Sequence, residues 1–171
     1  MTPRLEWRAA RSIDRSILQR FSCTSPRPRQ PGGRPLPHAT PWEEEVEKWI
    51  HEQKPPLRPK LHMSLGFEGE DLVAVVVVED SSDGPEFFHI AVVAIEHERR
   101  AAGRGAIAIE HAIDLALAAA APHVERLIVT ANIHERNRPS ESVFARTGFT
   151  PDTGVGRDAY RQWLLSIDIA D

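Results

Sequence analysis

Hydrophobic and polar positions along the chain change from one period to another, and these changes predict its helices and strands. Leu5–Ala9 alternates apolar and polar residues as a short strand does, and Ser12–Phe21 places apolar residues on one face of a short helix. The segment Pro26–Pro41 contains six of the chain's 14 prolines. Because proline cannot donate to a helix or a sheet ladder, this Pro/Arg-rich segment predicts an extended or mobile loop.

A second helix is predicted to begin at Thr40, since Thr40-Pro41-Trp42-Glu43 has the sequence of a capping box with proline at the first helical position. The pair Pro55-Pro56 ends it. We expect the tryptophans of this helix to pack in the core rather than to bind a ligand. Apolar residues recur on one face at helical spacing: Trp42, Val46, Trp49 and Ile50.

The middle of the chain is rich in strand-forming residues. Leu61–Phe67 and Leu72–Asp80 flank a polar turn and predict an antiparallel hairpin. Phe87–Ile95 is almost continuously hydrophobic, which predicts a central strand buried on both faces. A long alanine-rich helix running to about Ala121 follows, and then a strand at Arg126–Ile133.

The C-terminal part adds a short helix and a last strand. Pro139 begins the helix and Gly148 ends it. Tyr160–Ile169 predicts a strand that pairs with residues near Thr150–Val155. The order β-α-α-β-β-β-α-β-α-β-β predicts a single α/β domain over residues 1–171, built on a mixed sheet (α+β) without internal repeats.

Composition and charge narrow the class of protein. The longest aliphatic run, Leu72–Val78, is too short to span a bilayer, and the first residues lack the apolar segment of a secretory signal. Cys23 is the single cysteine, which excludes an internal disulfide. We therefore expect a cytoplasmic protein with no membrane association.

Residues 1–40 carry a net charge of +6, although the net charge of the whole chain is −4. This basic arm could steer a nucleic acid, but without interleaved aromatic residues a solvated surface is the favoured interpretation.

One segment has the composition of an anion site. Arg100–Gly105, of sequence Arg-Ala-Ala-Gly-Arg-Gly, joins the Phe87–Ile95 strand to the long helix. Backbone amides of such a loop, together with a helix N-terminus and an arginine, bind phosphate oxygens. A Walker loop is excluded, because Gly-Lys-Ser/Thr is absent. Gly103-x-Gly105-x-x-Ala108 fits a relaxed dinucleotide fingerprint, but it lies seven residues after its strand, and the remaining chain cannot complete a doubly wound sheet.

The same segment resembles the pyrophosphate loop of the GNAT acetyltransferases, which reads Arg/Gln-x-x-Gly-x-Gly/Ala after an aliphatic strand. Asn137–Phe149 is similar to that family's helix, in which an asparagine precedes an aromatic residue and then Gly-Phe. The likeness extends from Leu61 to the C-terminus. It implies the GNAT acyl-CoA N-acyltransferase fold, with the coenzyme lying between a splayed pair of parallel strands, Phe87–Ile95 and Leu127–Ile133.

The resemblance also implies which residues contact the coenzyme. The backbone near Ile95 would pair with the pantetheine, the loop would hold the pyrophosphate, and Asn137 would fix the pantetheine arm or the local turn. An amine would attack the thioester directly, while a strand amide polarises the carbonyl oxygen. The implied coenzyme-binding residues are Ile95, Glu96, His97, Arg100, Ala101, Ala102, Gly103, Arg104, Gly105, Ala106, Asn137 and Phe144.

The reaction requires two proton transfers, one from the attacking amine and one to the leaving thiolate, and each needs a protein group or water. Many GNAT proteins protonate the leaving thiolate with a tyrosine in the short helix, but Phe144 occupies that position here and cannot donate. We expect Phe144 to pack against coenzyme or core. Tyr160, the only tyrosine, is the first substitute. The other substitutes are Ser140, Ser142 and water.

His89 is the candidate general base, because it lies at the entry of the central strand and histidine has a pKa near ~6.5. We expect it to share a face with Ala91 and Val93. The alternative is a strand-end histidine bonded to a neighbouring loop. The eight histidines show no metal-ligand spacing, so we expect no metal. Weaker candidates for the base are Glu96, His62, His134 and Glu79.

Two functions follow from these observations. The first is an acetyl-CoA-dependent N-acetyltransferase for a primary amine that enters between the N-terminal helices and the C-terminal hairpin, with Pro26–Pro41 as a lid. The acidic surface Glu43–Glu47 would attract a polycation, whereas the basic arm would attract an aminoacyl-tRNA; Phe21-Ser22-Cys23 resembles tRNA-acetylating toxins of the family. The second is a non-catalytic acyl-CoA-binding regulatory module, favoured by the missing tyrosine. Similar proteins are commonly homodimers.

Overall fold

The computed structural model describes residues 4–27, 31–33, 36, 39–153 and 158–169. Over these residues the predicted order of helices and strands is confirmed. The elements are β1 (Glu6–Ala9), α1 (Arg15–Leu18, preceded by a 3-10 turn at Ser12–Asp14), α2 (Pro41–Glu52), β2 (Leu61–Glu68), β3 (Asp71–Asp80), β4 (Phe87–Ile95), α3 (Arg104–Ala119), β5 (Arg126–His134), α4 (Arg138–Arg146), β6 (Thr150–Pro151) and β7 (Tyr160–Asp168).

The strands form one seven-stranded mixed sheet in the order β1-β2-β3-β4-β5-β7-β6. Among the described strands, β4 and β5 are the parallel pair, and every other neighbouring pair is antiparallel. The long crossover through α3 makes the parallel pairing possible, because parallel neighbours cannot be joined by a short turn. The predicted mixed α/β fold class is confirmed.

Two apolar cores cover opposite faces of the sheet. Helix α3 packs on one face, against Val76 and Val78 of β3, whereas α1 and α2 cover the other face, where Val75 and Val77 point. The strand buried on both faces is therefore β3, and its residues 72–78 are all buried. The prediction that Phe87–Ile95 is buried on both faces is wrong. In β4 buried residues alternate with partly exposed ones, because the strand borders an opening in the sheet.

That opening separates β4 from β5. The two strands pair from Phe87 opposite Ile128 up to Ile90 opposite Ala131, and there the pairing stops. Both strands continue beyond this point, β4 for five residues and β5 for three. The expected splayed parallel pair is thus present, and its gap lies between the C-terminal ends of the two strands.

A β-bulge in β4 changes which residues face which core. Val77 pairs with Val92 and Val78 with Ile90, so Ala91 is an extra residue between two regular pairs. Before the bulge, Ile90 points to the α3 side; after it, Val92 points to the α2 side. The expectation that His89 shares a face with Ala91 and Val93 is therefore wrong for Val93. His89 lies on the α2 side, as Val92 does.

Two local predictions at the N-terminus also need correction. The predicted helix Ser12–Phe21 is reduced to α1 and the 3-10 turn before it, because Leu18 is buried while Ile13 is 71% exposed, so its apolar residues do not share a face. The capping box at Thr40 does not form as predicted. The Thr40 hydroxyl donates to the Glu43 carboxylate at 2.7 Å instead of accepting from the Glu43 amide.

Parts of the predicted Pro26–Pro41 loop, and residues 154–155 of the predicted Thr150–Val155 partner of β7, lie outside the described residues. The described part of the loop before Pro41 has no helix or strand. Within the described ranges, no helix is long and apolar enough to cross a membrane. A search of the same ranges for three or more clustered metal-ligating side chains finds none.

Candidate active site

Two adjacent cavities, which share lining residues, occupy the opening between β4 and β5. The first cavity has a volume of about 350 Å³ and is bounded by the end of β4, the start of α3, and the helices α2 and α4. The second cavity has a volume of about 530 Å³ and lies on the α2 side of β4 and β5. Residues that line both are Trp42, Val46, Val93, Asn137, Ser140 and Phe144.

The loop at the end of the first cavity has an unusual backbone. Ala101, Ala102 and Gly103 have φ angles of 95°, 53° and 81°, so three successive residues adopt left-handed conformations, two of them alanines. Left-handed conformations are costly for residues other than glycine and concentrate at ligand-binding sites. Gly103 is the N-cap of α3, whose first-turn amides lie beside the cavity. Successive backbone amides of a tight turn at a helix N-terminus form a concave arrangement that suits an anion.

The two arginines of the loop have different partners. The Arg100 guanidinium borders the first cavity, donating to Glu43 Oε1 of α2 at 2.6 Å and also to the Cys23 carbonyl. The Arg104 side chain points away from the cavity and donates to both carboxylate oxygens of Glu68, at 2.7 and 3.1 Å. The Arg104 amide donates to the Ala101 carbonyl at 3.4 Å, so of the two arginines it is Arg100 that borders the cavity.

A short segment, Ser22–Ser25, closes the wall between α2 and the loop; we call it the strap. Glu47 of α2 accepts from the amides of Cys23 and Thr24 at 2.8 and 2.9 Å, and Glu43 accepts from the Ser25 amide at 3.1 Å. Burial raises the pKa of Glu43, but hydrogen bonds from Ser25, Thr40 and Arg100 outweigh it and leave the pKa below its usual value. Two carboxylates of α2 thus hold the strap against the cavity.

The end of β4 offers backbone groups to the opening. The Glu96 amide donates to the Val73 carbonyl of β3 at 2.8 Å, and the His97 amide donates to the Ser22 carbonyl of the strap at 2.8 Å. Because backbone groups along a strand point alternately to its two edges, the groups of Val93 and Ile95 are directed toward β5 and the first cavity. The expected backbone pairing with a ligand is therefore open at Ile95, while the amides of Glu96 and His97 already have partners.

The twelve residues expected to bind the coenzyme are partly brought together. Eight line the first cavity: Ile95, Arg100, Ala101, Gly103, Gly105, Ala106, Asn137 and Phe144. Four do not contribute to its lining: Glu96, His97, Ala102 and Arg104. Gly105 faces α4, since an added Cβ would lie 3.7 Å from Val143, at ordinary van der Waals distance.

His89 lies in the second cavity and has a defined orientation. Its Nδ1 is 2.9 Å from the Thr130 hydroxyl on the neighbouring strand β5, and Thr130 itself donates to the Phe88 carbonyl at 3.3 Å. When the hydroxyl donates to Phe88, its oxygen accepts from His89 Nδ1–H, and Nε2 of the ring is then an acceptor. Burial lowers the pKa of His89, and the nearby charge of Glu79 partly offsets this. A neutral imidazole with a free Nε2 is suited to accept a proton.

The other candidate bases are less suited. His134 lines the second cavity, but its Nδ1 accepts from the Arg136 amide at 3.1 Å, and its ring stacks on Trp42 at 4.5 Å. His62 is paired with Asp80 at 2.7 Å and borders neither of the two cavities. Geometry therefore favours His89 over the weaker candidates.

Tyr160 lies at the other end of the second cavity. Tyr160 pairs with His134 of β5, whereas His89 pairs with Thr130 of the same strand. The four residues from Thr130 to His134 span about 13 Å along β5. Its hydroxyl donates to Glu45 of α2 at 3.1 Å. Burial raises the pKa of Tyr160, and the Glu45 charge adds to the effect. Tyr160 borders the second cavity and makes no contribution to the first.

Helix α4 meets both cavities at its N-terminus. Asn137 is its N-cap, and its side-chain oxygen accepts from the Ser140 amide at 3.3 Å, so it fixes the local turn. Phe144 is buried and packs edge-to-face on Phe149, with ring centroids 5.0 Å apart, as expected for a packing role. Ser142 is exposed and lines neither cavity.

Sequence reasoning missed three residues of the site. Trp42 is not a core residue as predicted, since it lines both cavities and stacks on His134. Thr130 and Glu45, the partners of His89 and Tyr160, were not singled out. A signal for Thr130 was present in Arg126–His134, where apolar residues alternate with polar ones that share a face.

A mixed sheet that opens between its parallel strands, with a loop of convergent amides beside the opening, defines the class of GNAT-fold acyltransferases. The model of the acetyltransferase (GNAT) family matches residues 21–149 of this chain. The chain belongs to the GNAT acetyltransferase family. The family suggested by the loop and the short helix is thereby confirmed.

Solved structures with the same fold are similar along almost the whole chain. An acetyltransferase from Thermus thermophilus matches at 19% identity and a TM-score of 0.65, covering 97% of this chain and 99% of that one. The PaiA N-acetyltransferase of Thermoplasma acidophilum, solved in complex with coenzyme A, matches at 13% identity and a TM-score of 0.66. The match covers 95% of this chain and 98% of that one. The GNAT domain of the S. lividans protein PAT matches at 13% identity and a TM-score of 0.68, covering 95% of this chain and 90% of that one. A search of curated protein sequences finds no significant match.

Proposed function

We propose that this protein is an N-acetyltransferase that transfers an acetyl group from acetyl-CoA to a primary amine by direct attack in a ternary complex. The observation that carries the proposal is the pair of adjacent cavities, with shared lining residues, where β4 separates from β5. One cavity has the features of an anion and backbone-pairing site, and the other holds an oriented neutral histidine. A similar protein, the PaiA N-acetyltransferase, was solved with coenzyme A.

The coenzyme is assigned to the first cavity. Its pyrophosphate would lie on the amides of Ala101–Ala106, where three left-handed residues and the start of α3 converge. Its pantetheine would pair with the backbone of Val93 and Ile95. Arg100 would contribute to the phosphate site by exchanging its bond to Glu43 for one to the ligand. Glu96 and His97 act by shaping the end of β4 rather than by contact.

The acceptor amine is assigned to the second cavity, with His89 as general base. His89 Nε2 takes a proton from the ammonium form of the acceptor, so that the free amine attacks the thioester carbon. The exposed Ala91 of the β4 bulge lines this cavity beside His89. Tyr160 and Glu45 form the outer end of the acceptor site, and Tyr160 remains a candidate proton donor.

The acidic surface of α2 contributes less to acceptor binding than its sequence suggests. Glu43 and Glu47 hold the strap, and Glu44 pairs with Arg27. Of the four glutamates, Glu45 is the one directed toward the acceptor end, through Tyr160. We therefore assign to this surface a structural role rather than the recruitment of a polycation.

The second candidate function is a coenzyme-binding regulatory module without catalysis. Phe144 favours it, because this residue leaves the short helix without the tyrosine donor. The oriented His89 favours the enzyme, since a binding module has no need of a free Nε2 acceptor in its second cavity.

Thermal unfolding with acetyl-CoA, followed by detection of free thiol with a panel of amines, peptides and charged tRNAs, tests the proposal. A ligand at 100 times its dissociation constant adds about 2.7 kcal/mol of stability. We expect this stabilisation and thiol release with at least one amine. Stabilisation without thiol release across the panel would favour the regulatory module. Absence of stabilisation by acetyl-CoA and by longer acyl-CoA would contradict both functions.

A further inference from the structure

We propose that Ser140 is a catalytic residue that passes a proton from the acceptor nitrogen to the coenzyme sulfur. The proposal rests on the proposed function and concerns the step for which Phe144 leaves no donor. Ser140 is half-buried and lines both cavities, so one hydroxyl-bearing residue borders the coenzyme site and the acceptor site together. The bond that breaks in the reaction, between the acyl carbon and sulfur, has to lie where the two cavities meet.

Position within α4 explains why serine can act beside a phenylalanine. Ser140 precedes Phe144 by one helical turn, so their side chains occupy the same face. Phe144 is buried against Phe149 and contributes an apolar wall to both cavities. The face of α4 that borders the site therefore still carries one hydroxyl, at Ser140. It lies one helical turn closer to the N-terminus of α4 than Phe144, the position of the tyrosine in many GNAT proteins.

The local structure holds Ser140 in place without using its hydroxyl. The Asn137 side chain accepts from the Ser140 amide at 3.3 Å, and this bond fixes the backbone at the first turn of α4. Within the described part of the chain, the Ser140 hydroxyl makes no hydrogen bond to a protein group. Its donor and its acceptor are both open to a substrate.

The competing donors are placed less well. Ser142 is exposed and lines neither cavity. Tyr160 lines the acceptor cavity alone, and its hydroxyl donates to Glu45 at 3.1 Å. To protonate the sulfur, Tyr160 would have to leave Glu45 and reach across the acceptor. Ser140 needs no such rearrangement.

The chemistry balances without another reactant. His89 removes one proton from the ammonium ion, and the free amine attacks the thioester carbon, forming a C–N bond and moving the carbonyl electron pair onto oxygen. As the C–S bond breaks and its electron pair leaves with sulfur, the Ser140 hydroxyl gives its proton to sulfur and takes the surplus proton from nitrogen. The products are the amide and the free thiol, and Ser140 is regenerated. Since both protons pass through one oxygen, no serine alkoxide accumulates.

Steady-state kinetics of Ser140→Ala tests the proposal, with acetyl-CoA, the amine that gives the greatest thiol release, and thiol detection. Removing a proton-transfer group typically costs 10²–10⁴-fold in rate, so we expect kcat to fall by about 100-fold. The KM for acetyl-CoA, its dissociation constant and the unfolding temperature should remain close to those of the wild type, because the bond from Asn137 to the backbone is retained. Ser140→Thr, which keeps the hydroxyl, should restore most of kcat.

The matched control is Ser142→Ala, two residues along the same helix, which should leave kcat unchanged. Equal kcat in the wild type and Ser140→Ala would overturn the role of Ser140 while leaving the proposed function intact. A large loss in Tyr160→Phe together with full activity in Ser140→Ala would assign the donor to Tyr160 instead. Absence of thiol release from the wild-type protein itself would overturn the proposed function and this proposal together.

Discussion

At the scale of single residues, the properties of His89 come from its neighbour Thr130. The Thr130 hydroxyl lies 2.9 Å from His89 Nδ1 and 3.3 Å from the Phe88 carbonyl, so it holds the imidazole ring in one orientation. Burial keeps the ring neutral by lowering its pKa. The residue type and the strand of the candidate base could be predicted from sequence, but its face could not. One extra residue at Ala91 reverses the alternation of side chains along β4, and no local signal marks that bulge.

The first residue-scale prediction concerns the pH dependence of catalysis. A general base acts when it is unprotonated, and the pKa of His89 lies below its ordinary value of 6.5. The acidic limb of kcat/KM should therefore have its midpoint below pH 6.5, with activity lost as the pH falls through it. His89→Gln should lower kcat/KM by about 100-fold and remove this limb. Measurement of kcat/KM from pH 5 to 9 checks both effects.

Thr130→Val provides the matched comparison, because valine has the shape of threonine without its hydroxyl. We expect a smaller loss of kcat than in His89→Gln, since the imidazole remains but is no longer held in one orientation. Thr130→Ser, which keeps the hydroxyl, should retain activity. An unchanged acidic limb in His89→Gln would remove His89 from the mechanism.

At the scale of secondary-structure elements, the site depends on how α2 is tied to the loop before α3. Glu43 and Glu47 of α2 hold the amides of the strap, and Arg100 connects Glu43 to the loop. The ranges of most elements could be predicted, and β4 was predicted to the residue, because its apolar run is bounded by polar turns. The strap could not be predicted. Its place depends on contacts between residues about 20 and 75 positions apart in sequence, which local periodicity does not encode.

The element-scale prediction concerns Glu43→Gln. The carboxylate is mostly buried and accepts charge-assisted hydrogen bonds from Arg100 and the strap, so its loss should destabilise the protein by about 1–3 kcal/mol. Because the pKa of Glu43 is below its usual value of 4.5, its stabilising contribution is present above pH 4.5 and is lost as the pH falls through its folded-state pKa. Chemical unfolding at pH 7 and at low pH measures the difference.

The control is Glu44→Gln, on the next position of α2, whose pair with Arg27 lies on the surface. Exposed ion pairs contribute about 0–1 kcal/mol, so this variant should stay near the wild type. Equal stability of Glu43→Gln and wild type at pH 7 would show that the strap is not held by Glu43.

At the scale of the whole molecule, function follows from a sheet that does not close. Strand β3 is buried on both faces and pairs with β4. Strands β4 and β5 part after Ile90 and Ala131 and leave two adjacent cavities. This architecture could be predicted because two motifs, the Arg100–Gly105 loop and the Asn137–Phe149 helix, occur in order on the expected elements. The α2 residues that line the cavities, such as Trp42, could not be predicted, since their place depends on how α2 packs beside the opening.

The most direct test of the proposed function is a crystal structure of the protein with acetyl-CoA. We expect the pyrophosphate on the amides of Ala101–Ala106, the pantetheine beside Val93 and Ile95, and the thioester sulfur within hydrogen-bond distance of the Ser140 hydroxyl. Arg100 should have exchanged Glu43 for a phosphate oxygen. A coenzyme bound outside the opening between β4 and β5, or crystals grown at saturating acetyl-CoA with an empty opening, would contradict the proposed function.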